Sequence, residues 1–126
     1  MKRLLTIDSV MFFVTDLDSS VIFYEEVLGL KRVWTDKKRE MIGFIFPQSA
    51  SEIVIHHDST IPNPDFSFLV ENVEAFCKEF RKQGYKILHE PVEIRCGKFA
   101  VLADLDDNKI PIVDLTKFGG KPKYDP

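Results

Sequence analysis

The sequence predicts an α+β fold made of two βαβββ modules. Three observations carry that prediction: a helix-like segment occurs twice, an alternating apolar strand leads into each copy, and three further strand-like runs follow each copy. The two segments are VTDLDSSVIFYEEVLGLK from Val14 and VENVEAFCKEFRKQGYK from Val70, an offset of 56 residues (70 − 14). The offset holds through Asp16/Asn72, Leu17/Val73, Val21/Cys77 and Tyr24/Phe80. Repetition at a fixed spacing constrains architecture before any single element does.

The first module spans about 5–58. Its leading strand alternates, with Val10, Phe12 and Val14 on one face and Ser9, Met11 and Phe13 on the other. Asp16 then stands where a helix cap is needed, and Leu17, Val21, Tyr24 and Leu28 recur at helical spacing. Gly29 tolerates the positive φ of a helix stop. Strands are expected at Lys31–Thr35, Met41–Phe46 and Glu52–His57, the first two joined by a solvated hairpin over Thr35–Glu40. In the fourth strand Ile53 and Ile55 oppose Glu52, Val54 and His56. The turn formers Ser59, Thr60, Pro62, Asn63 and Pro64 divide the halves.

The second module spans about 65–116. Phe66, Phe68 and Val70 oppose Asp65, Ser67 and Leu69; Asn72 caps a helix whose apolar face is Val73, Phe76, Cys77 and Phe80; and Gly84 stops it. Strands follow at Tyr85–His89, Lys98–Ala103 and Lys109–Asp114, the last with Ile110 and Ile112 opposing Lys109, Pro111 and Val113. Pro111 removes a ladder donor from a strand that should be interior, so a bulge is expected there. The uniformly apolar sets, with Phe12, Phe66 and Phe68 among them, belong under the helices. The mixed sets, with Phe13 among them, suit a concave, partly wet cleft. The stretch FGGKPKYDP from Phe118 has no periodicity, so a domain of 1–118 with a flexible tail at 119–126 is expected.

Composition bounds the function. A chain of 126 residues with 11 Phe is one domain long and can bury a core without staples. A formal net charge of −3 and a pI near 5.6 exclude the electrostatic footprint of a nucleic-acid binder. No apolar run approaches the roughly 20 residues that span a bilayer. Asp8 interrupts the apolar start before a signal peptide could form. Cys77 and Cys96 lack metal-type spacing, and Cys77 falls on a helix core face; both fit reduced thiols of a cytoplasmic protein. The expected partner is therefore a small molecule, with neither nucleic acid nor membrane.

Two stretches resemble the vicinal oxygen chelate superfamily, which includes glyoxalase I, bleomycin-resistance proteins, extradiol dioxygenases and fosfomycin-modifying enzymes. VMFFVTDLDSSVIFYEEVLGLK is similar to that family's V-x-D-L-x-x-S-x-x-F-Y-x-x-x-L-G-L opening, and CGKFAVLADLDDNKIPIVD to its W-G-x-x-x-A-x-x-x-D-P-D-G-N-x-I-E-L ending. Cys96 stands in place of the Trp, Leu105 of the Pro and Asp107 of the Gly. The resemblance covers about residues 5–116. It implies a curved, mostly antiparallel eight-stranded open barrel with a helix on the outer face of each module, and a homodimer.

Metal-dependent relatives hold a divalent ion with His or Glu from the first, fourth, fifth and eighth strands. Carried over, those positions fall on Ser9, on Val54 (or its face neighbours Glu52 and His56), on Asp65 and on Pro111. Pro111 offers no donor, and too few good ligands remain for a first-row metal. The candidate ligand-binding residues are Ser9, Met11, Phe13, Trp34, Glu52, His56, Asp65 and Arg95. Adjacent strand residues point to opposite faces, so His56 and His57 do not chelate one ion; the pair fits a strand end reaching solvent, with His56 also a candidate cleft donor or acceptor. Trp34 suits core or rim packing, and Arg95 and Lys98 flank Gly97 in a loop that borders the ligand in relatives. Asp104, Asp106 and Asp107 lack the terminal Glu of a calcium loop.

The resulting expectation is a metal-independent protein of the bleomycin-resistance kind, with no cofactor, binding a small aromatic or cationic ligand in the cleft. The alternative is a metal-dependent lyase or isomerase of the glyoxalase I (lactoylglutathione lyase) type, with Glu52 and Asp65 as its carboxylates. A domain that uses the fold only for pairing is a third reading.

Overall fold

The structure, a computed structural model, describes residues 3–121. Its elements run β1 (Thr6–Phe13), α1 (Leu17–Ile22), β2 (Lys31–Asp36), β3 (Met41–Ile45), β4 (Glu52–His56), β5 (Asp65–Leu69), α2 (Val73–Lys82), β6 (Ile87–Glu93), β7 (Lys98–Ala103) and β8 (Lys109–Val113). This is βαβββ twice. The mixed sheet has the order β2-β3-β4-β1-β5-β8-β7-β6 and is not closed, with β2 and β6 at its edges. Within each module the first and last strands pair in parallel and the others antiparallel. The chain divides into two compact units, Ser9–Phe66 and the residues up to Asp8 with those from Ser67 onward.

In the unit Ser9–Phe66, the Asp16 carboxylate accepts the Ser19 N–H at 3.3 Å and starts α1. After Ile22 the helix widens into a π-type segment, Phe23–Val27, which the sequence pattern gave no sign of. Gly29 at φ +74 ends it. No residue of either segment is fully buried; Leu17, Val21 and Tyr24 lean on a core of Leu30, Ile42, Phe44 and Ile55. The Tyr24 ring stacks on Phe44 with centroids 5.5 Å apart. The β2–β3 hairpin is solvated as expected, held by the Asp36 carboxylate accepting from the Arg39 backbone and guanidinium, both at 3.0 Å.

In the other unit, α2 has a tighter seat. Asn72 caps it by accepting the Ala75 N–H at 2.9 Å, and Gly84 at φ +88 follows its end. Val73, Phe76 and Cys77 pack into a core with Val70, Ala100, Leu102 and Ile112. Each fully buried aliphatic or aromatic side chain contributes about 1.5–3 kcal/mol. Asp114 completes the seat. Its carboxylate, 1% exposed, accepts from the Val73 N–H at 2.7 Å, the Lys98 N–H at 2.9 Å, and the Thr116 N–H and hydroxyl at 3.2 and 2.8 Å. Gly97 lies so close that a Cβ there would fall on the Asp114 carboxylate. Burial pushes the Cys77 thiol up to about 11 and the Cys96 thiol up to about 12, the Asp8 carboxylate adding to the latter.

Three expectations need correction. Phe66 is not under a helix but 41% exposed: the β5–β8 ladder covers only Phe68↔Ile112 and Leu69↔Val113, and Phe66 lies ahead of it, outside the α2 core. Phe12, by contrast, keeps the expected face: it is half-buried and stands beside Ile55 of the α1 core in the β1–β4 ladder. No bulge forms at Pro111, because the β7–β8 register runs unbroken through Val101↔Pro111. The β5 ladder stops short of Pro111, leaving it a side on which no donor is required. The bulges lie instead in the edge strands, between Arg32 and Trp34 in β2 and on both sides of His89 in β6. β6 also starts later and runs further than Tyr85–His89, carrying Pro91 where an edge tolerates it.

Asp107, where the family motif has Gly, sits at φ +63, a conformation that Asp tolerates better than most residues. Asp104 closes the same turn, accepting from the Asn108 side-chain amide at 2.9 Å and from the Asn108 and Asp106 N–H groups at 2.8 and 2.9 Å, and these bonds, the side-chain one first, hold its carboxyl below the usual range. Of the expected tail, residues 119–121 follow a short 3-10 turn, Thr116–Phe118, and residues 122–126 lie outside the described residues. Among the described residues no helix is long and apolar enough to cross a membrane.

Candidate functional site

Seven of the eight candidate residues lie in the unit Ser9–Phe66, and strand register arranges six of them. The parallel β1–β4 ladder sets Ser9 beside Glu52, Met11 beside Val54, and Phe13 beside His56. The antiparallel β3–β4 ladder adds Ile45 beside Glu52, Gly43 beside Val54, and Met41 beside His56. Trp34 of β2 pairs with Gly43. Three rows result on the face turned away from α1: Ser9, Glu52 and Ile45; Met11, Val54, Gly43 and Trp34; Phe13, His56 and Met41.

The middle row is an apolar floor. Val33, Trp34 and Val54 are buried, and Met11, Met41 and Ile45 pack against them. Trp34, 7% exposed, lies flat on the backbone of Gly43, where any Cβ would fall inside the indole. Its indole N–H donates to Glu52 Oε1 at 3.3 Å. Trp34 therefore packs into the floor instead of standing free for stacking, and Glu52 is already engaged by it.

The outer row holds the histidine. His56 is 0% exposed, which corrects the expectation of a strand end reaching solvent. Its Nδ1 takes the Asp58 backbone N–H at 3.0 Å. A backbone N–H can only donate, so Nδ1 is the acceptor and the neutral ring carries its proton on Nε2. That Nε2 is buried and has no hydrogen-bond partner among the described residues. An unpaired buried donor costs about 1–3 kcal/mol. Burial holds the imidazole below the usual histidine range and keeps it neutral; Asp58 and Asp65 pull the other way, while His57 adds to the lowering. His57 takes the opposite tautomer, its Nδ1–H donating to the Val14 carbonyl at 2.8 Å. The Phe13 ring stacks on His57 at 5.4 Å and meets the His56 ring edge-on at 6.1 Å. The Phe13 backbone N–H is held by Asn63 Oδ1 at 3.2 Å.

Asp65 is half-buried, and its charge reaches His56. Arg95 belongs to the other unit, with its guanidinium over the Phe118 ring at 5.3 Å. That unit also carries a surface groove lined by Glu74, Ala75, Cys77, Lys78, Arg81, Glu90 and Pro91, to which none of the candidates contributes. Sequence reasoning missed Gly43, Met41, Ile45 and Asn63. Counting alternate positions in β3 outward from the turn at Glu40 would have put Met41, Gly43 and Ile45 on one face; the Asn63 contact has no local signal.

The donor set does not fit a first-row metal. Glu52, Val54 and His56 share a face, but Glu52 and His56 stand four residues apart, about 13 Å along a strand, and cannot share an ion. Ser9 adds only a hydroxyl beside Glu52, and Pro111 adds nothing. Among the described residues no group of three or more His, Cys, Asp or Glu side chains could hold a metal ion.

Known proteins agree with this fold. Lactoylglutathione lyase of Haemophilus influenzae is 25% identical over 119 residues, covering 82% of this chain and 88% of that protein. The crystal structure of methylmalonyl-CoA epimerase from Mycobacterium tuberculosis superposes with a TM-score of 0.64 at 19% identity, covering 90% of this chain and 89% of that one. A variant of the Streptomyces coelicolor methylmalonyl-CoA epimerase in complex with 2-nitronate-propionyl-CoA gives 0.64 at 16% identity, covering 87% and 94%. Residues 6–112 match the family model throughout, and the chain belongs to the Glyoxalase/Bleomycin resistance protein/Dioxygenase superfamily.

Proposed function

We propose that this protein binds a small organic molecule without a metal, on the face formed by Met11, Phe13, Trp34, Met41 and His56. The observation that carries the reading is the apolar floor seated on Gly43, in place of the cluster of carboxylates and imidazoles a metal needs. An aromatic or otherwise apolar body suits that floor. A cationic substituent belongs toward the Asp65 carboxylate rather than toward the Nε2–H of His56. The relatives whose names specify a substrate act on small organic molecules, which supports the ligand class. A cytoplasmic homodimer is part of the same proposal, and sedimentation velocity tests the dimer.

The lactoylglutathione lyase relative favours one second reading, a metal-dependent lyase or isomerase with non-standard ligands. Metal analysis of protein purified without chelators decides between them, with thermal-shift titration of nickel, zinc, manganese and iron. The first reading expects no stoichiometric ion and no stabilisation. A bound ion whose stabilising effect disappears in Asp65→Ala overturns it. Trp34 is the sole tryptophan, so its emission reports directly on aromatic probes entering the face.

A further inference from the structure

The fold makes use of only one ring nitrogen of His56, the Nδ1 that accepts the Asp58 N–H. In the second module the same place is taken by valine. Val14 N–H donates to the His56 carbonyl at 2.8 Å, and Val70 N–H donates to the Val113 carbonyl at 2.9 Å, so His56 and Val113 close equivalent strands. Val113 is 5% exposed and apolar, which is what a buried strand end calls for. His56 is buried just as deeply, yet carries an N–H that nothing among the described residues accepts. A buried donor left unmatched in a native fold calls for an explanation, and a bound ligand is one.

Resting on the small-molecule reading above, we infer that His56 Nε2–H is a specificity-determining donor, selecting ligands that present a carbonyl-type acceptor beside an apolar body. The direction of the bond is fixed by the chain. The Asp58 backbone N–H occupies Nδ1 and leaves Nε2 only the donor role, so an ammonium or hydroxyl hydrogen cannot be received there. The groups that act on the ring are Asp58, Asp65 and His57, and together with burial they leave it neutral, so it offers one hydrogen and no charge. Its row neighbours Phe13 and Met41 and the adjoining Met11, Val54 and Trp34 supply the apolar surroundings. Phe13 is the half-buried ring set edge-on against His56.

The experiment uses two probes of nearly equal shape, acetophenone and α-methylstyrene, titrated into the full chain. Binding is followed through the Trp34 indole resonance, and long-range ¹H–¹⁵N spectra report the His56 tautomer. Expected are an Nε2–H tautomer at pH 7 and a preference of at least about tenfold for acetophenone. In His56→Phe the preference should vanish through weaker acetophenone binding alone, while His56→Gln, which keeps a donor, should retain part of it. An Nδ1–H tautomer, equal binding of the two probes by the native chain, or a preference that survives in His56→Phe overturns the inference while leaving small-molecule binding intact. If neither probe moves the Trp34 resonance, the small-molecule reading fails and the donor role goes with it. Should His56→Phe fail to fold, the tautomer, the native probe pair and His56→Gln still decide.

Discussion

The two modules close their last strands with equivalent backbones and opposite chemistry. At the end of β8, Val113 is buried on the face opposite Ile112, and the next residue, Asp114, is buried and gathers four hydrogen bonds that bind the start of α2, the start of β7 and Thr116 into one joint. At the end of β4, His56 is the buried residue and His57 the exposed one, and their ring nitrogens bond the Asp58 N–H and the Val14 carbonyl. The helices follow suit: α2 sinks three residues into its core, while α1 and its π-type continuation sink none and leave Ile22, Phe23, Val27 and Leu28 more than 48% exposed. One copy of the motif has its polar group satisfied and holds its helix firmly. The other keeps a loosely seated helix and an unsatisfied polar group. Where a repeated fold departs from its own pattern at a cost, function is the first explanation to test.

The largest effect expected from breaking this contrast is at Asp114. Asp114→Ala strips a buried joint of its acceptor and should cost roughly 3–4 kcal/mol in urea unfolding, whereas His57→Ala, its counterpart, should cost less than about 1 kcal/mol. Equal losses would show that the modules are closed alike. Next comes Gly43→Ala, which drives a methyl into the Trp34 indole and should cost about 1–3 kcal/mol with a red shift of tryptophan emission. An unchanged spectrum would mean that the floor is softer than its packing indicates. The caps follow: Asn72→Ala should cost about 1 kcal/mol, and Asp16→Ala less, since the helix it starts has no fully buried residue. Native-state hydrogen exchange should accordingly be faster across 17–27 than across 73–82.

The smallest effect is a dependence on pH. The folded His56 imidazole binds its proton less readily than the unfolded one. As pH falls below about 6.5, the unfolded chain takes up the proton first and stability declines, levelling off below the folded-state value. His56→Val, which copies the second module, should remove that part of the slope. At pH 7 it should change stability by less than about 1 kcal/mol, since the valine removes the unmatched Nε2–H but also the acceptor of the Asp58 N–H. A slope that persists in His56→Val would assign the effect elsewhere.

Much of this was legible from the residues. The paired caps at Asp16 and Asn72, the glycine stops at Gly29 and Gly84, and the strand alternation placed both helices and the eight strands, β6 only in part, and put Met11, Val54 and His56 on one face, because those signals are local or strictly periodic. The burial of His56, the Trp34–Gly43 seat and the Trp34–Glu52 bond were not legible, since each depends on which strands are neighbours and in what register. Phe66 and Pro111 were misread for the same reason: alternation gives a side chain its face but does not say where a ladder ends. The π-type turn after Ile22 has no signature in apolar spacing at all.

The state of the two thiols has a practical consequence. With Cys77 held at about 11 and Cys96 at about 12, both sulfurs stay protonated at neutral pH, and the thiolate that alkylating reagents require is scarce. A cysteine introduced on the exposed hairpin, as in Lys37→Cys, would therefore be modified ahead of both native ones. A single fluorophore or spin label could then be attached beside the β2–β3 strands without first deleting Cys77 from the α2 core.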